Sequence, residues 1–276
     1  IMELNGLKYR IPQPLSTGVM RTYKREYAQK QSYNTNAPVI FDWNTGTSYV
    51  EPQSALLSFK LVLLQTSGGA VTYSFGDGLG GCSLFKEIRI ISKNGVEVDR
   101  TTDAHILAKV LSDYTMSAEA RANMGMCDGY DRGVGIVTAS GVPTVVQISL
   151  PMKLLSGFFR PTVEGMLLPA GLASGLRIEM TLAPATRAFV GNANVIPSYS
   201  VDDAQLLMQL TDLNDPVQSA LMKESAANGL EYTFPSYFTT EADLSGNQIT
   251  EQVKKAVSQA TRIFVAIYDK TTDNVD

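Results

Sequence analysis

The chain has 276 residues, of which 44% are hydrophobic and only 18% charged, against about 25% charged in an average soluble protein. Its net charge of −4 argues against a general nucleic-acid binder, which shows a basic face. There is no run of eighteen apolar residues, so no membrane-spanning helix is read from it.

In chain order, residues 1–37 are polar and carry a short basic run, Arg21, Lys24, Arg25 and Lys30. They read as a solvated arm or as a contact for an anionic membrane or a neighbouring subunit. A strand is expected at Pro38–Trp43, followed by a turn at Asn44-Thr45-Gly46. Ser54–Leu64 is almost continuously apolar and is expected to be a strand buried on both faces. Gly76-Asp77-Gly78-Leu79-Gly80-Gly81 has the G-x-G-x-x-G spacing, but Lys86–Ser92 reads as a strand and leaves no room for a crossover helix. It is therefore read as a loop, not a dinucleotide site.

Asn94-Gly95 lies between the strand-like Glu87–Ser92 and Val96–Arg100 and predicts a two-residue hairpin turn with positive φ at both positions. Thr102 or Asp103 then caps a helix running to about Met116, with Ile106, Leu107, Val110, Leu111 and Tyr114 as its apolar stripe. His105, the single histidine, sits beside that stripe and is read as a rim residue. Residues 117–142 read as a long exposed loop, and Pro161–Ser174 as another. Strands are expected at Thr144–Met152, Gly175–Ala183 and Tyr199–Leu213, the middle one alternating cleanly through Leu176, Ile178, Met180 and Leu182. Many strands with long connections and one helix predict a mainly β, antiparallel sandwich with Greek-key connections.

Asn214-Asp215-Pro216 marks a boundary. Val217–Ala227 reads as a linker helix, and Leu230–Thr239, Gln248–Val257 and Arg262–Asp269 as the first strands of a second sandwich. The second domain is also suggested by an echo: Gln53–Phe59 and Gln259–Val265 both open apolar strands, 206 positions apart (259 − 53). The division is thus an arm at 1–37, a first domain at 38–213, a linker at 214–229 and the start of a second domain at 230–276. Ile1 is not a natural start, and a polar loop ends the chain, so the natural protein is expected to continue past Asp276.

No catalytic constellation emerges. A single histidine restricts any nucleophile–base pair to His105, and no nucleophile elbow, H-E-x-x-H, Cys-x-x-Cys or phosphate loop occurs. Cys82 and Cys127 read as free thiols. Asp202-Asp203 and Asp128/Asp131 are paired carboxylates of a kind that also binds calcium in loops, and read here as solubilising pairs. No catalytic, cofactor-binding or metal residue is assigned, and no cofactor.

One stretch resembles a family. Gly80–Tyr114 (GGCSLFKEIRIISKNGVEVDRTTDAHILAKVLSDY) is similar to the first-domain segment of double jelly-roll major capsid proteins of icosahedral DNA viruses, virophages and polinton-like viruses above all. It carries that family's order of elements: Leu84-Phe85, the strand Ile88-Arg89-Ile90, the glycine hairpin at Asn94-Gly95, then a helix. The likeness extends over about residues 38–213 and more weakly over 230–269. It implies a tandem jelly roll, its second half incomplete here. It also implies a structural, non-enzymatic role as a homotrimer forming pseudo-hexameric tiles of a virion shell assembled in the host cell. Partners would be neighbouring copies, penton and minor capsid proteins, and an internal membrane through Arg21, Lys24, Arg25 and Lys30, with no sequence-specific nucleic acid. The loops Ala118–Val142 and Thr186–Ile196 would be tower or intersubunit loops. Open alternatives are a single jelly-roll penton or minor capsid protein and a carbohydrate-binding module. The latter needs an exposed aromatic platform, and Trp43 is the one tryptophan.

Overall fold

A computed structural model of the chain describes residues 20–65, 70–76, 80–128, 136–163, 165–191, 197–213, 219, 223, 229, 231–240, 260–265, 268–269 and 274–275. The strands are β1 Met20–Tyr27, β2 Ser32–Asn34, β3 Pro38–Trp43, β4 Tyr49–Leu64, β5 Val71–Phe75, β6 Phe85–Ile91, β7 Glu97–Thr102, β8 Ile136–Thr138, β9 Thr144–Pro151, β10 Leu176–Leu182, β11 Phe189–Gly191 and β12 Ser198–Asp212. Helices α1 Ala104–Thr115, α2 Ala118–Asp128, α3 Ala170–Ala173 and α4 Ala185–Ala188 lie between them.

Two sheets carry the architecture. One runs β1-β12-β4-β9, with β2 also pairing β12; the other runs β3-β10-β6-β7. Every pairing in them is antiparallel. Numbering the eight sandwich strands from one to eight along the chain, the sheets read 1-8-3-6 and 2-7-4-5. The pairs β1–β12, β3–β10, β4–β9 and β6–β7 are the rungs of one long hairpin. Rolled around itself, that hairpin places alternate rungs in opposite sheets. This strand order is the jelly roll.

The hairpin tip is the Asn94-Gly95 turn. Its left-handed residue is Gly95 (φ 78°) and not Asn94. The Gly95 N–H donates to the Ser92 carbonyl at 2.9 Å and the Ser92 N–H to the Val96 carbonyl at 2.8 Å. The loop is thus one residue longer than the expected two-residue turn, with glycine in the position that closes the bulge.

Inward side chains of the two sheets form one core. Val39, Phe41 and Trp43 of β3, with Ile88, Ile90, Ile178 and Met180 of the same sheet, share one buried cluster with Phe59, Leu61 and Leu63 of β4 and with Ile148, Leu150, Leu206 and Met208. Aromatic pairs fix the packing: Phe59 stands edge-on to Phe85 at 5.9 Å, and Trp43 stacks on Phe159 at 6.2 Å.

Several expectations are corrected. Residues 20–34 of the expected arm are strands of the sandwich, so the jelly roll starts at Met20; residues 1–19 lie outside the described residues. The arginines and lysine of β1 hid it as a strand, yet charge is what a sheet edge needs to avoid pairing with other chains. β4 begins at Tyr49 and alternates between a core face and an outward face rather than being buried on both. The expected loop 117–142 contains α2 and β8, because alanine, methionine and arginine favour a helix as much as small size suggests a loop. Pro161–Ser174 contains α3, and the expected loop Thr186–Ile196 begins in α4 and β11, with 192–196 outside the described residues.

The second-domain strands differ as well. Residues 231–240 are not a strand and instead pack on the first sandwich; 260–265 also have no regular structure. Tyr268–Asp269 pairs with Asn274–Val275. Gln248–Val257 and nearly all of the expected linker helix lie outside the described residues.

Gly95→Ala is expected to destabilise the fold by about 1–2 kcal/mol from backbone strain alone, since a Cβ there meets nothing within 4 Å. Gly171→Ala, in α3 with equally open space and no positive φ, serves as the control and is expected to be neutral or slightly stabilising. Urea denaturation of both variants checks the difference.

Candidate functional site

The residues singled out for chemistry do not converge. Cys82 is buried and Cys127 exposed, and neither forms a disulfide. Asp203 sits at a bulge in β12 with φ 52° and pairs with Lys60 at 2.7 Å, while Asp202 accepts from the Ser32 hydroxyl at 2.6 Å. The Lys60 ammonium holds the Asp203 carboxyl below the usual carboxylate range. The two neighbouring aspartates therefore have separate partners and do not share a cation cradle. Asp131 lies outside the described residues. Among the described residues no group of three histidine, cysteine or carboxylate side chains could hold a metal ion. Gly80–Leu84 forms a 3-10 turn leading into β6, so the glycine run opens a strand.

His105 is the clearest departure. It is 1% exposed, not at the rim. The buried face of α1 consists of Ala104, His105, Ile106, Ala108, Leu111 and Ser112. Of the expected stripe, Leu107 and Val110 are half-buried and Tyr114 is 74% exposed. Helix α1 packs on the 3-10 turn at 80–84 and on β6, and Ile106 and Leu111 of the expected stripe are buried there together with His105.

Asp103 precedes α1 in a left-handed conformation (φ 51°) and makes no side-chain cap. Its carboxylate faces the buried Arg187 guanidinium at 3.6 Å instead. Burial first, and Arg187 second, push the His105 imidazole down to about 3. The Phe85 backbone opposes this slightly without giving either ring nitrogen a well-formed hydrogen bond. Sequence pattern gave no hint of Arg187, because an arginine in a short polar stretch reads as solvated.

The two sandwich faces differ in chemistry. The outer face of the β3-β10-β6-β7 sheet is a ladder of opposite charges. Gln29 donates to Asp42 at 2.5 Å, Arg177 contacts Asp42 at 3.0 Å and Glu179 at 4.0 Å, and Arg89 contacts Glu179 at 3.4 Å and Glu97 at 2.9 Å. Arg100 pairs with Glu87 at 2.6 Å. These ladder side chains are matched within one sheet.

The outer face of the β1-β12-β4-β9 sheet carries fewer ion pairs, Lys60–Asp203 among them, and more aromatic, aliphatic and neutral-polar side chains. Tyr23 and Tyr27 of β1 are 78% and 64% exposed and lie opposite Gln209 and Gln205 in register. Leu207 and Leu56 occupy the next strands, Gln147 and Ser149 hydrogen-bond to Ser58 at 3.0 and 3.1 Å, and Val145 is 57% exposed. Arg21 and Arg25 share the exposed side of β1 with the tyrosines. Lys24 points to the other side, donating to the Asn44 carbonyl and pairing with Glu26 at 2.5 Å. Lys30 is exposed. Trp43 is fully buried, so it offers no platform for a sugar ring. Among the described residues no helix is long and apolar enough to cross a membrane.

No family model matches the chain, and no curated protein does. Solved structures similar to it include the PBCV-1 virus capsid, at 12% identity and TM-score 0.46 over 74% of this chain and 45% of that one. The Faustovirus major capsid protein matches at 8% identity and TM-score 0.49 over 75% and 56%. A CocE/NonD family hydrolase from Staphylococcus aureus matches at 10% identity and TM-score 0.27 over 71% and 34%. This chain spans about half the length of the two capsid chains, 45% and 56%.

The His105 environment predicts an acid limb in stability. The unfolded imidazole takes a proton near pH 6.5 and the folded one only near 3. Between these values the unfolded state binds more protons. The contribution is complete above pH 6.5 and is lost as pH falls, by about 1.4 kcal/mol per unit. His105→Gln removes the titration, so its stability is expected to fall less than the wild type's between pH 6.5 and 5, by about 2 kcal/mol. Thermal denaturation across that interval reads the difference.

Proposed function

We propose that the chain is a structural subunit of an icosahedral viral capsid, trimerising into pseudo-hexameric tiles. The observation carrying this reading is the outer face of the β1-β12-β4-β9 sheet. It displays exposed tyrosines, an exposed valine and neutral amides beside Arg21 and Arg25, on a jelly roll whose other sheet is a ladder of matched charges. Tyrosine and arginine are the side chains enriched in protein interfaces, and charge is depleted at interface centres. The jelly-roll order and the resemblance of Gly80–Tyr114 to major capsid proteins supply the class of interface. Obligate contacts of this kind bury about 2,000–5,000 Å² or more. On this reading the chain has no catalytic role, and neighbouring copies are its main partners in a virion.

Sedimentation velocity tests it: the purified protein is expected to run as a trimer, and Tyr23→Ser with Tyr27→Ser to shift it towards monomer. A wild-type monomer at micromolar concentration contradicts the reading.

Should that side of β1 meet an anionic internal membrane or a minor capsid protein instead of another copy, Arg21, Arg25 and Lys30 would make the contact, while Lys24 is engaged with Asn44 and Glu26. The polybasic contribution of about 1 kcal/mol per residue near an anionic surface predicts co-flotation with phosphatidylserine vesicles at low salt. Arg21→Glu with Arg25→Glu is expected to abolish it, and undiminished flotation of that variant removes the membrane from the partner set.

A single jelly-roll minor or penton protein is the second reading, favoured by residues 231–240 packing on the first sandwich rather than opening another. Fivefold instead of threefold particles would select it.

A further inference from the structure

The 231–239 segment occupies a built site on the sandwich. Its receptor is the turn Ser156-Gly157-Phe158-Phe159 and the adjacent strand β7. Tyr232 donates its hydroxyl to the Phe158 carbonyl at 2.5 Å, and the Thr162 N–H donates to the Thr233 carbonyl at 2.9 Å. Tyr232 and Phe234 pack on the Phe158 ring, each at 5.3 Å, and on one another at 5.6 Å. Phe158 stands edge-on to Phe159 at 5.4 Å, and Phe159 stacks on Trp43. The segment therefore contacts the sandwich core through an unbroken aromatic series.

Polar groups lock the same contact. Asp99 of β7 is 4% exposed. One of its carboxylate oxygens accepts from the Ser156 hydroxyl at 2.8 Å and the other from the Ser236 hydroxyl at 2.9 Å. Ser156 in turn accepts from the Phe158 N–H at 3.2 Å. A buried carboxylate left with an empty oxygen is costly, so Ser236 completes a group that the sandwich alone leaves half-satisfied. The Thr239 hydroxyl donates to the Thr102 carbonyl on the free edge of β7 at 3.2 Å. Gly157 admits the chain: a Cβ there would stand 1.7 Å from the Pro235 carbonyl oxygen and 3.1 Å from the Tyr237 ring.

We infer that residues 231–239 are a strap whose docking on Gly157, Phe158 and Asp99 holds Thr240 at a fixed place on the jelly roll. The strap also covers the β7 edge, a place where an uncovered strand invites pairing with other molecules.

The test is a spin-label distance measurement on the full chain, with Cys127→Ser removing the exposed thiol and labels at Val145→Cys on β9 and Thr240→Cys after the strap. A narrow distance distribution is expected with Gly157 present. With Gly157→Ala the distribution is expected to broaden at least twofold, while the amides of β4 and β12 keep their hydrogen-exchange protection. A broad distribution in the parent protein, or an equally narrow one in Gly157→Ala, overturns the inference. If Gly157→Ala loses the fold, Phe234→Ala with Ser236→Ala replaces it: broadening supports the strap and an unchanged narrow distribution overturns it.

Discussion

Everything in this molecule depends on the pairing of β4 with β12. These are the two longest strands, and they lie side by side in the middle of their sheet, with register from Tyr49↔Thr211 to Leu64↔Ser198. The contact joins residues separated by most of the described sandwich. It is the pairing that closes the long hairpin into a roll, since β1 attaches through β12 and β9 through β4. The entropy of closing so large a loop precedes the reward from burying Leu57, Phe59, Leu61 and Leu63 against the opposite sheet. A fold of this kind is slow to form, and its free strand edges are exposed while it does so. The charges along β1 limit that hazard at one edge, and the segment beside β7 covers another.

Several of the buried polar groups are tied to places where the chain turns sharply. Asp99 anchors the turn after β9. Asp103 and Arg187 hold the start of α1 against α4. Ser83 donates to both Gly80 and Ala188 carbonyls and closes the 3-10 turn before β6. Such groups stabilise only when every partner is present, so they specify one arrangement of the connections more than they add net energy. The result is a frame whose interior chemistry is structural and whose variable chemistry is on the two outer faces. One of those faces pairs its own charges along a ladder, and the other displays tyrosine, leucine, valine and amides beside Arg21, Arg25 and the Lys60–Asp203 pair.

The strands with clean alternation were legible in the sequence. Pro38–Trp43, Thr144–Met152, Gly175–Ala183 and Tyr199–Leu213 all occur within a few residues of their expected bounds, because a half-buried strand imprints period two on the chain. The Asn94-Gly95 turn was legible for the same local reason. β1 was not, since an edge strand with basic residues has the composition of an arm. Nor was the burial of His105, which follows from how α1 packs on the 80–84 turn, a tertiary fact with no local signature. Residues 231–239 misled in the opposite direction. Their alternating aromatics mark buried side chains correctly, but the partner is an existing sandwich rather than a new sheet. The surface on which the functional reading rests was invisible for a simpler reason: Tyr23, Tyr27, Gln205 and Val145 come from β1, β12 and β9, and only the strand order brings them together.

We propose that this jelly roll presents a sheet face made for other copies of itself. Negative-stain electron microscopy of the purified full-length protein tests that claim most directly. Threefold, pseudo-hexagonal particles or closed shells are the predicted result. A field of compact monomers at concentrations where capsomers hold together would contradict it.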